Sequence, residues 1–484
     1  MDAWEASAWA LGEYGEAALG HRARTKRLVQ VASELVQSPA SSLPRSIAEP
    51  AQAKAAYRFL SNPEVSEQAI LSGHYRATAG RCLRHRTVLV LQDTTTLVFN
   101  TRAGVKDLGP TNDRAGTKGF LAHSSLAVDA ESHDVLGVLH QHMWVRSAEK
   151  KPGEETLRER KKRRRESDHW ADNQRRVAEL LRQQAARAER PAPHVIAVFD
   201  REGDVFEAME QLDELGHSFV IRAQHNRLLE SPDGRAKRYS LDKVRRAAVL
   251  AHKSVQVRER NGQPARTAQL EVRAITVRLT PPRARDRKGK SLSVNLVLAR
   301  EIGAPAGAER LSWYLLTREP IRTAEDVLAV VQHYEARWII EELHMGLKTG
   351  CACEKRQMQT AHALKNFLAL ATPMAVQILR LRDAARRDVP LESCDMLGPD
   401  EMAVLRGLRP RMMTKVTNAR QLMRVVANFG GFLNRNSDPE PGWRTLWRGF
   451  EAVKLAATGY ALRERLERRR ASSERRRSRE IKSG

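Results

Sequence analysis

The sequence predicts a mixed α/β core flanked by helical segments at both ends. Two observations carry this. Residues 1 to about 72, and those from about 358 onward, place apolar side chains at helical spacing. Between them, short apolar or alternating runs come in the order three strands, helix, strand, helix, strand, which is the pattern of a mixed layered fold.

The elements follow in order. "RTKRLVQVASELVQ" spaces Leu28, Val31, Leu35 and Val36 as one helical face, and Arg22, Arg24, Lys26 and Arg27 crowd its start. In "PAQAKAAYRFLSNPEVSEQAILSGH", Asn62 and Pro63 mark a break and Ser66 a helix cap. "TVLVLQD" reads as a strand ending at Asp93, followed by two strands in "FLAHSSLAVDAES" and "HDVLGVLHQHMWVR". A basic insert, "EKKPGEETLRERKKRRRESD", precedes a helix in "WADNQRRVAELLRQQAARA". "HVIAVFD" is a fourth strand ending at Asp200, "GDVFEAMEQLDELG" a helix and "SFVIRAQ" a fifth strand. From about 225 to 312 a β-rich stretch interrupts the pattern, and a helix is expected at about 323 to 348. The tail "ERRRASSERRRSREIKSG" is too charged to pack and reads as disordered.

Bulk properties bound the partners. A chain of 484 residues holds two to four domains. Lys and Arg number 83 against 58 acids, a net charge of +25, which points to a polyanion and above all to nucleic acid. Cys82, Cys351, Cys353 and Cys394 are too few for a disulfide framework, and Cys351 and Cys353 have the wrong spacing for a zinc knuckle. No run approaches 18 apolar residues, and "MDAWEASAWALGEYGE" lacks a basic leader region, so neither a membrane span nor a signal peptide is expected.

The stretch "YEARWIIEELHMGLKTG" raises the question of chemistry. At about 100° per residue, with Tyr334 at zero, Arg337 falls near 300°, Glu341 near 340° and Lys348 near 320°, whereas Glu342 falls near 80°. The four form a charged stripe, which is either a solvated face or one wall of a site. Asp93 and Asp200 each close an apolar strand, where an acid is costly unless paired, bonded or bound to metal. Alone, each reads as a loop cap. Together with Glu341 they make three carboxylates, a set able to hold two Mg²⁺ ions about 3.5–4 Å apart for in-line phosphoryl displacement. Asp204 and Glu202 lie where a helix start favours acids anyway, so Asp200 is preferred; Glu335 and Glu342 lie off the stripe, so Glu341 is preferred. His140 and His142 share a strand face without further ligands nearby and read as structural, and Trp338 reads as core. "GPTNDRAGTKGF" fails the spacing of a phosphate-binding loop.

Tyr334, Arg337, Glu341 and Lys348 in this spacing resemble the Tyr-Arg-Glu-Lys signature of bacterial insertion-sequence transposases, the hairpin-forming cut-and-paste DDE enzymes related to the transposase of transposon five. "LVLQDTTTL" is similar to their first-aspartate strand and "VIAVFDREGD" to their second, and the similarity runs from "RTKRLVQVASEL" to "WRTLWRGFEAVK". The resemblance implies an RNase H-like mixed-sheet core interrupted by a β-rich insertion, with Asp93, Asp200 and Glu341 as metal-binding catalytic residues. It implies that Tyr334, Arg337 and Lys348 contact phosphates and the strand end, that Trp313 stacks on a flipped base, and that Arg222 lies near the same hairpin. Gln224 stands where the family often has a second basic residue, which leaves that contact in doubt.

The expected organisation is a helical DNA-binding domain at 1–72 that uses Arg24 and Arg27, a catalytic core at 73–365, and a helical dimerisation region with a basic tail at 366–484. The expected activity is Mg²⁺-dependent DNA transposition, with Mn²⁺ able to substitute. The partners are double-stranded DNA (terminal repeats and target) and a second copy of the chain, with no membrane. The location is the bacterial cytoplasm, on the nucleoid when bound to DNA. The rivals are an RNase H-like nuclease or resolvase that only hydrolyses, which would not need the stripe, and an inactive DNA-binding relative, which would have lost a carboxylate.

Overall fold

The computed structural model describes residues 3–99, 104–111, 116–146, 166–230, 239–257, 265–281, 291–305, 307–386, 390–391, 397–435, 438 and 440–480. The basic insert at 149–165 and Cys394 lie outside the described residues. The chain forms two compact units, one of residues 75–103 and 108–344, the other of 1–74, 104–107 and 345–484. The helical ends, read from the sequence as two regions, thus fall in one unit.

The first unit is built on one ten-stranded sheet. Its strands are β1 (Thr87–Val98), β2 (Gly109–Pro110), β3 (Lys118–Asp129), β4 (Val135–Trp144), β5 (His194–Phe199), β6 (Ser218–Arg222), β7 (Val249–Val257), β8 (Arg266–Leu279), β9 (Leu292–Ile302) and β10 (Ser312–Thr317). The order is β2-β3-β1-β5-β6-β10-β9-β8-β7, with β4 also on β3. β4, β3 and β1 pair antiparallel, whereas β5 and β6 run parallel to β1. A helix, Glu166–Arg187, makes the crossover into β5, and another, Phe206–Glu214, the crossover into β6. This mixed sheet is compatible with an RNase H-like core. The strands read as an insertion do not form a separate layer. β10 pairs antiparallel with β6, and β9, β8 and β7 extend the same sheet outward.

The periodicity explains the core. Val88 and Val90 on one face of β1 pack with Leu136, Val177, Leu181 and Val195. Further along the sheet, Phe199, Met209, Phe219, Leu296 and Leu316 form a second cluster that includes Trp170. Burying side chains of this size is worth about 1.5–3 kcal/mol each.

Three local expectations need correction. β1 does not stop at Asp93 but runs to Val98, because the β-branched run Thr94-Thr95-Thr96 continues the ladder with β3. Pairing with β5 does stop, at Leu91. The helix expected at 323–348 is three pieces, Ala324–Glu335, Trp338–Met345 and a π-helical turn Gly346–Gly350. At the junction, Arg337, Ile339 and Ile340 donate to carbonyls three residues back, which tightens the chain and breaks the uniform 100° advance. The charged tail continues a helix that runs Trp443–Glu480, since it contains neither Gly nor Pro between Ala461 and Glu480.

The second unit is helical. Helices at Ala3–Tyr14, Arg22–Leu35, Leu43–Ser46 and Pro50–Leu60 lead into Glu67–Cys82, capped by Ser66, whose hydroxyl accepts from Ala69 N at 3.2 Å. Later helices include Ala361–Arg386, Pro399–Leu408, Ala419–Phe429 and Trp443–Glu480. The last two cross at Gly430 and Gly449, where an added Cβ would come within 1.9 Å of a carbonyl oxygen on the opposite helix. Leu446, Phe450 and Val453 are buried there, but Leu462, farther along the same helix, is 58% exposed.

Candidate active site

Leu91 of β1 pairs with Val198 of β5, and Asp93 and Asp200 lie two residues beyond each. Asp93, within β1, and Asp200, the first residue past β5, therefore sit at one level of the register, just past the point where that ladder ends. Asp200 caps the 3₁₀ turn Arg201–Gly203, its Oδ1 accepting from Glu202 N at 2.9 Å. Asp93 Oδ1 accepts from Thr94 N at 2.8 Å.

The segment after Glu335 supplies the rest. Arg337 donates from Nη2 to Glu341 Oε1 at 2.5 Å and holds Nη1 3.8 Å from Asp93 Oδ2. His344 Nδ1 stands 4.0 Å from the same Asp93 oxygen. Burial, then the neighbouring Asp200 charge, pushes the Asp93 carboxyl up to about 7; Arg337 and the Thr94 N–H pull it down, and Glu341 adds to the rise. Burial opposes the Arg337 charge, but Tyr334, Glu341 and Asp93 outweigh it and hold that guanidinium above its ordinary value.

Trp313 on β10 packs edge-on against Tyr334, with ring centroids 5.5 Å apart and planes at 62°. Trp313 is half-buried and Tyr334 buried. Arg222 ends β6 opposite Leu315. The sheet unit thus brings Asp93, Asp200, Arg337 and Glu341 together and sets Trp313 against Tyr334. Lys348 lies in the Gly346–Gly350 turn, which belongs to the helical unit, as do Arg24 and Arg27. Arg24 Nη1 donates to Leu19 O at 3.2 Å, and Arg27 donates to Gln30 at 3.1 Å and to Gln52.

Residues 6–65 match the family model described as transposase DNA-binding, and residues 374–466 match the Tn5 transposase dimerisation domain. The chain is a Tn5-related transposase. The matches support DNA binding by the N-terminal helices of the transposase and homodimer formation through its C-terminal ones. No helix among its described residues is long and apolar enough to cross a membrane.

Two of the competing acids of this transposase are otherwise engaged. Asp204, 3% exposed, accepts from Arg227 Nη2 at 2.6 Å and from the backbone N–H groups of Gln224 and His225. Glu335 pairs with Lys253 at 3.0 Å, and Glu342 is buried. His140 donates from Nδ1 to Asn173 Oδ1 at 2.8 Å inside the fold. Trp338, read as core, is instead 42% exposed at the first position of its helix. The sequence reading passed over His344. Its signal was present, one helical turn after Glu341 and on the same face.

As the side chains stand, no three His, Cys, Asp or Glu among the described residues are arranged to hold a metal ion. The donor chemistry nevertheless fits a hard cation. Asp93 is raised partly by the charges of Asp200 and Glu341, a repulsion that a divalent ion relieves, and all the donors are carboxylate oxygens. The Arg337 guanidinium supplies positive charge to Glu341 and Asp93.

Proposed function

We propose that the transposase is a Mg²⁺-dependent DDE enzyme that cuts transposon ends through a hairpin intermediate and joins them to target DNA. The observation that carries this reading is the level pair Asp93 and Asp200 on adjacent strands, faced by Glu341 through Arg337. Asp93, Asp200 and Glu341 would hold the ions, and Mn²⁺ can replace Mg²⁺. Divalent ions bound there would polarise the attacking oxygen and neutralise the leaving one.

The remaining roles fall to the chain. Water nicks one strand, and the freed 3′-hydroxyl attacks the opposite strand, giving a hairpin with loss of the other 3′-oxygen as leaving group. A second water reopens the hairpin, and the regenerated 3′-hydroxyl attacks target DNA. Each step exchanges one phosphodiester oxygen for another, so one site can serve them in turn by positioning and electrostatics. Arg337, Tyr334 and Lys348 hold phosphates, Trp313 takes an extruded base, and Arg222, Arg24 and Arg27 contact the DNA backbone. On this reading the protein works in the bacterial cytoplasm, on the nucleoid when bound to DNA.

The test is incubation of purified protein with Mg²⁺ and a library of DNA ends, followed by sequencing of the products. Cleaved species with covalently closed hairpin ends are expected. Nicked or cut products with no hairpins would favour the purely hydrolytic nuclease. No cleavage with retained end binding would favour the inactive relative.

A further inference from the structure

The face of β1 opposite Asp93 carries a buried polar layer that the chemistry above does not use. Strand alternation puts Gln92 and Thr94 on that face. His123 on β3 stands directly across from Thr94 and is fully buried. Its Nδ1 lies 2.9 Å from Thr94 Oγ1 and its Nε2 3.3 Å from Gln92 Oε1. The ring packs on Trp170 at 4.4 Å between centroids, and the His123 carbonyl accepts from Asn173 Nδ2 at 3.4 Å. Gln92, 1% exposed, has no partner for its Nε2 among the described residues, so its amide is oriented through the contact with His123.

We propose that His123 is a positioning residue for Asp93. It fixes the side chains on either side of that aspartate, and thereby holds the Asp93 carboxylate level with Asp200. The inference rests on the carboxylate reading above and extends it to a residue that touches neither DNA nor metal. The chain of contacts is short. His123 binds the Thr94 hydroxyl, and the Thr94 N–H binds Asp93 Oδ1 at 2.8 Å. Burial, followed by the nearby His140, His169, His344 and His142, keeps the His123 ring neutral. A neutral imidazole offers one donor and one acceptor nitrogen, which suits two different neighbours. β1 needs such a fastening here because its ladder with β5 ends at Leu91, which leaves β3 as the strand paired with β1 at Asp93.

Two variants separate positioning from packing. His123→Phe keeps the ring volume and the Trp170 contact but loses both polar contacts. Thr94→Val keeps the backbone donor to Asp93 and loses only the hydroxyl. Each is compared with wild type, and with the double variant, for melting temperature, DNA-end binding, calorimetric Mg²⁺ binding and single-turnover cleavage. Outer-layer partners of metal ligands contribute about 10–100-fold in metal affinity or activity. The expected result is a loss of that size in Mg²⁺ affinity and cleavage, with end binding within about twofold and partial rescue at high Mn²⁺. The double variant should be no worse than the poorer single, since the two residues act in series. If His123→Phe does not fold, Thr94→Val alone must show the weakened Mg²⁺ binding. Variants that match wild type in Mg²⁺ affinity, or losses that simply multiply, overturn the proposal and leave the carboxylate reading standing. A wild-type protein with no Asp93-dependent Mg²⁺ binding defeats both.

Discussion

Arg337 grips Glu341, its Nη2 2.5 Å from Oε1, from a position just outside the helix that carries the glutamate. The same guanidinium lowers the Asp93 pKa against burial and Asp200. Arg337→Ala should therefore push Asp93 higher still. A ligand must be deprotonated, so the acid limb of the cleavage profile should move to higher pH. At pH 7 the rate should fall about tenfold or more, a loss of about 1.4 kcal/mol per decade, and recover in part at pH 8.5. Arg337→Lys should recover less than half of the loss on a logarithmic scale, lacking the planar fork. A profile unchanged in shape would show that Arg337 does not act through Asp93.

Asp93 also ties stability to pH. Its folded pKa of about 7 lies above the ordinary 3.8, so the folded state binds the extra proton between roughly pH 4 and 7. This contribution to stability is fully present below about pH 4 and is lost as pH rises through 7. Asp93→Asn removes the slope and should raise the melting temperature at pH 8 by a few degrees, and by less than half as much at pH 5. Mg²⁺ competes with the same proton, so it should raise the wild-type melting temperature more at pH 8 than at pH 5.5 and leave Asp93→Asn nearly unmoved. Paired thermal melts at the two pH values check both statements.

Trp313 lies half-buried on Tyr334, which leaves one part of the indole open. Base stacking on such a ring is worth about 1–3 kcal/mol. Trp313→Ala should keep the first nick near wild-type rate and slow hairpin formation by roughly ten- to a hundredfold. Time courses that resolve nicked from hairpinned DNA measure this. Equal slowing of both steps with a lowered melting temperature would assign Trp313 to packing alone.

The succession of most strands along the chain, including the two aspartate strands, was legible because β-branched alternation and continuous apolar runs mark strands in the sequence, whereas their order in the sheet was not. The level pairing of Asp93 with Asp200 was not, since register depends on where the β1–β5 ladder ends. The one-helix stripe failed at the junction after Glu335 and again at Gly346–Gly350, where Cys351 N reaches back to Gly346 O. Such changes of helical pitch follow from tertiary packing and leave no periodic trace. His123 escaped for a similar reason: a lone histidine in a strand gains meaning only from the residue across the ladder.

The C-terminal helix carries two different faces. Leu446, Phe450 and Val453 close a local core, so truncation near 440 would unfold that region, whereas Leu455, Leu462 and Leu466 are 74%, 58% and 49% exposed. Leu455→Asp with Leu462→Asp should preserve folding and single-end binding but reduce paired-end complexes at least tenfold on a native gel. Undiminished pairing would place the dimer contact elsewhere.

The three carboxylates are best tested by replacing each in turn. Asp93→Ala, Asp200→Ala and Glu341→Ala proteins, confirmed folded by melting, are assayed for Mg²⁺-dependent single-turnover cleavage beside end binding at fixed salt. Binding rests on Lys and Arg neutralising phosphates, so all three variants should bind DNA ends within a fewfold of wild type. Each should lose cleavage to below about one part in a thousand. Near wild-type cutting by any one of them would remove that residue from the site and contradict the proposed triad.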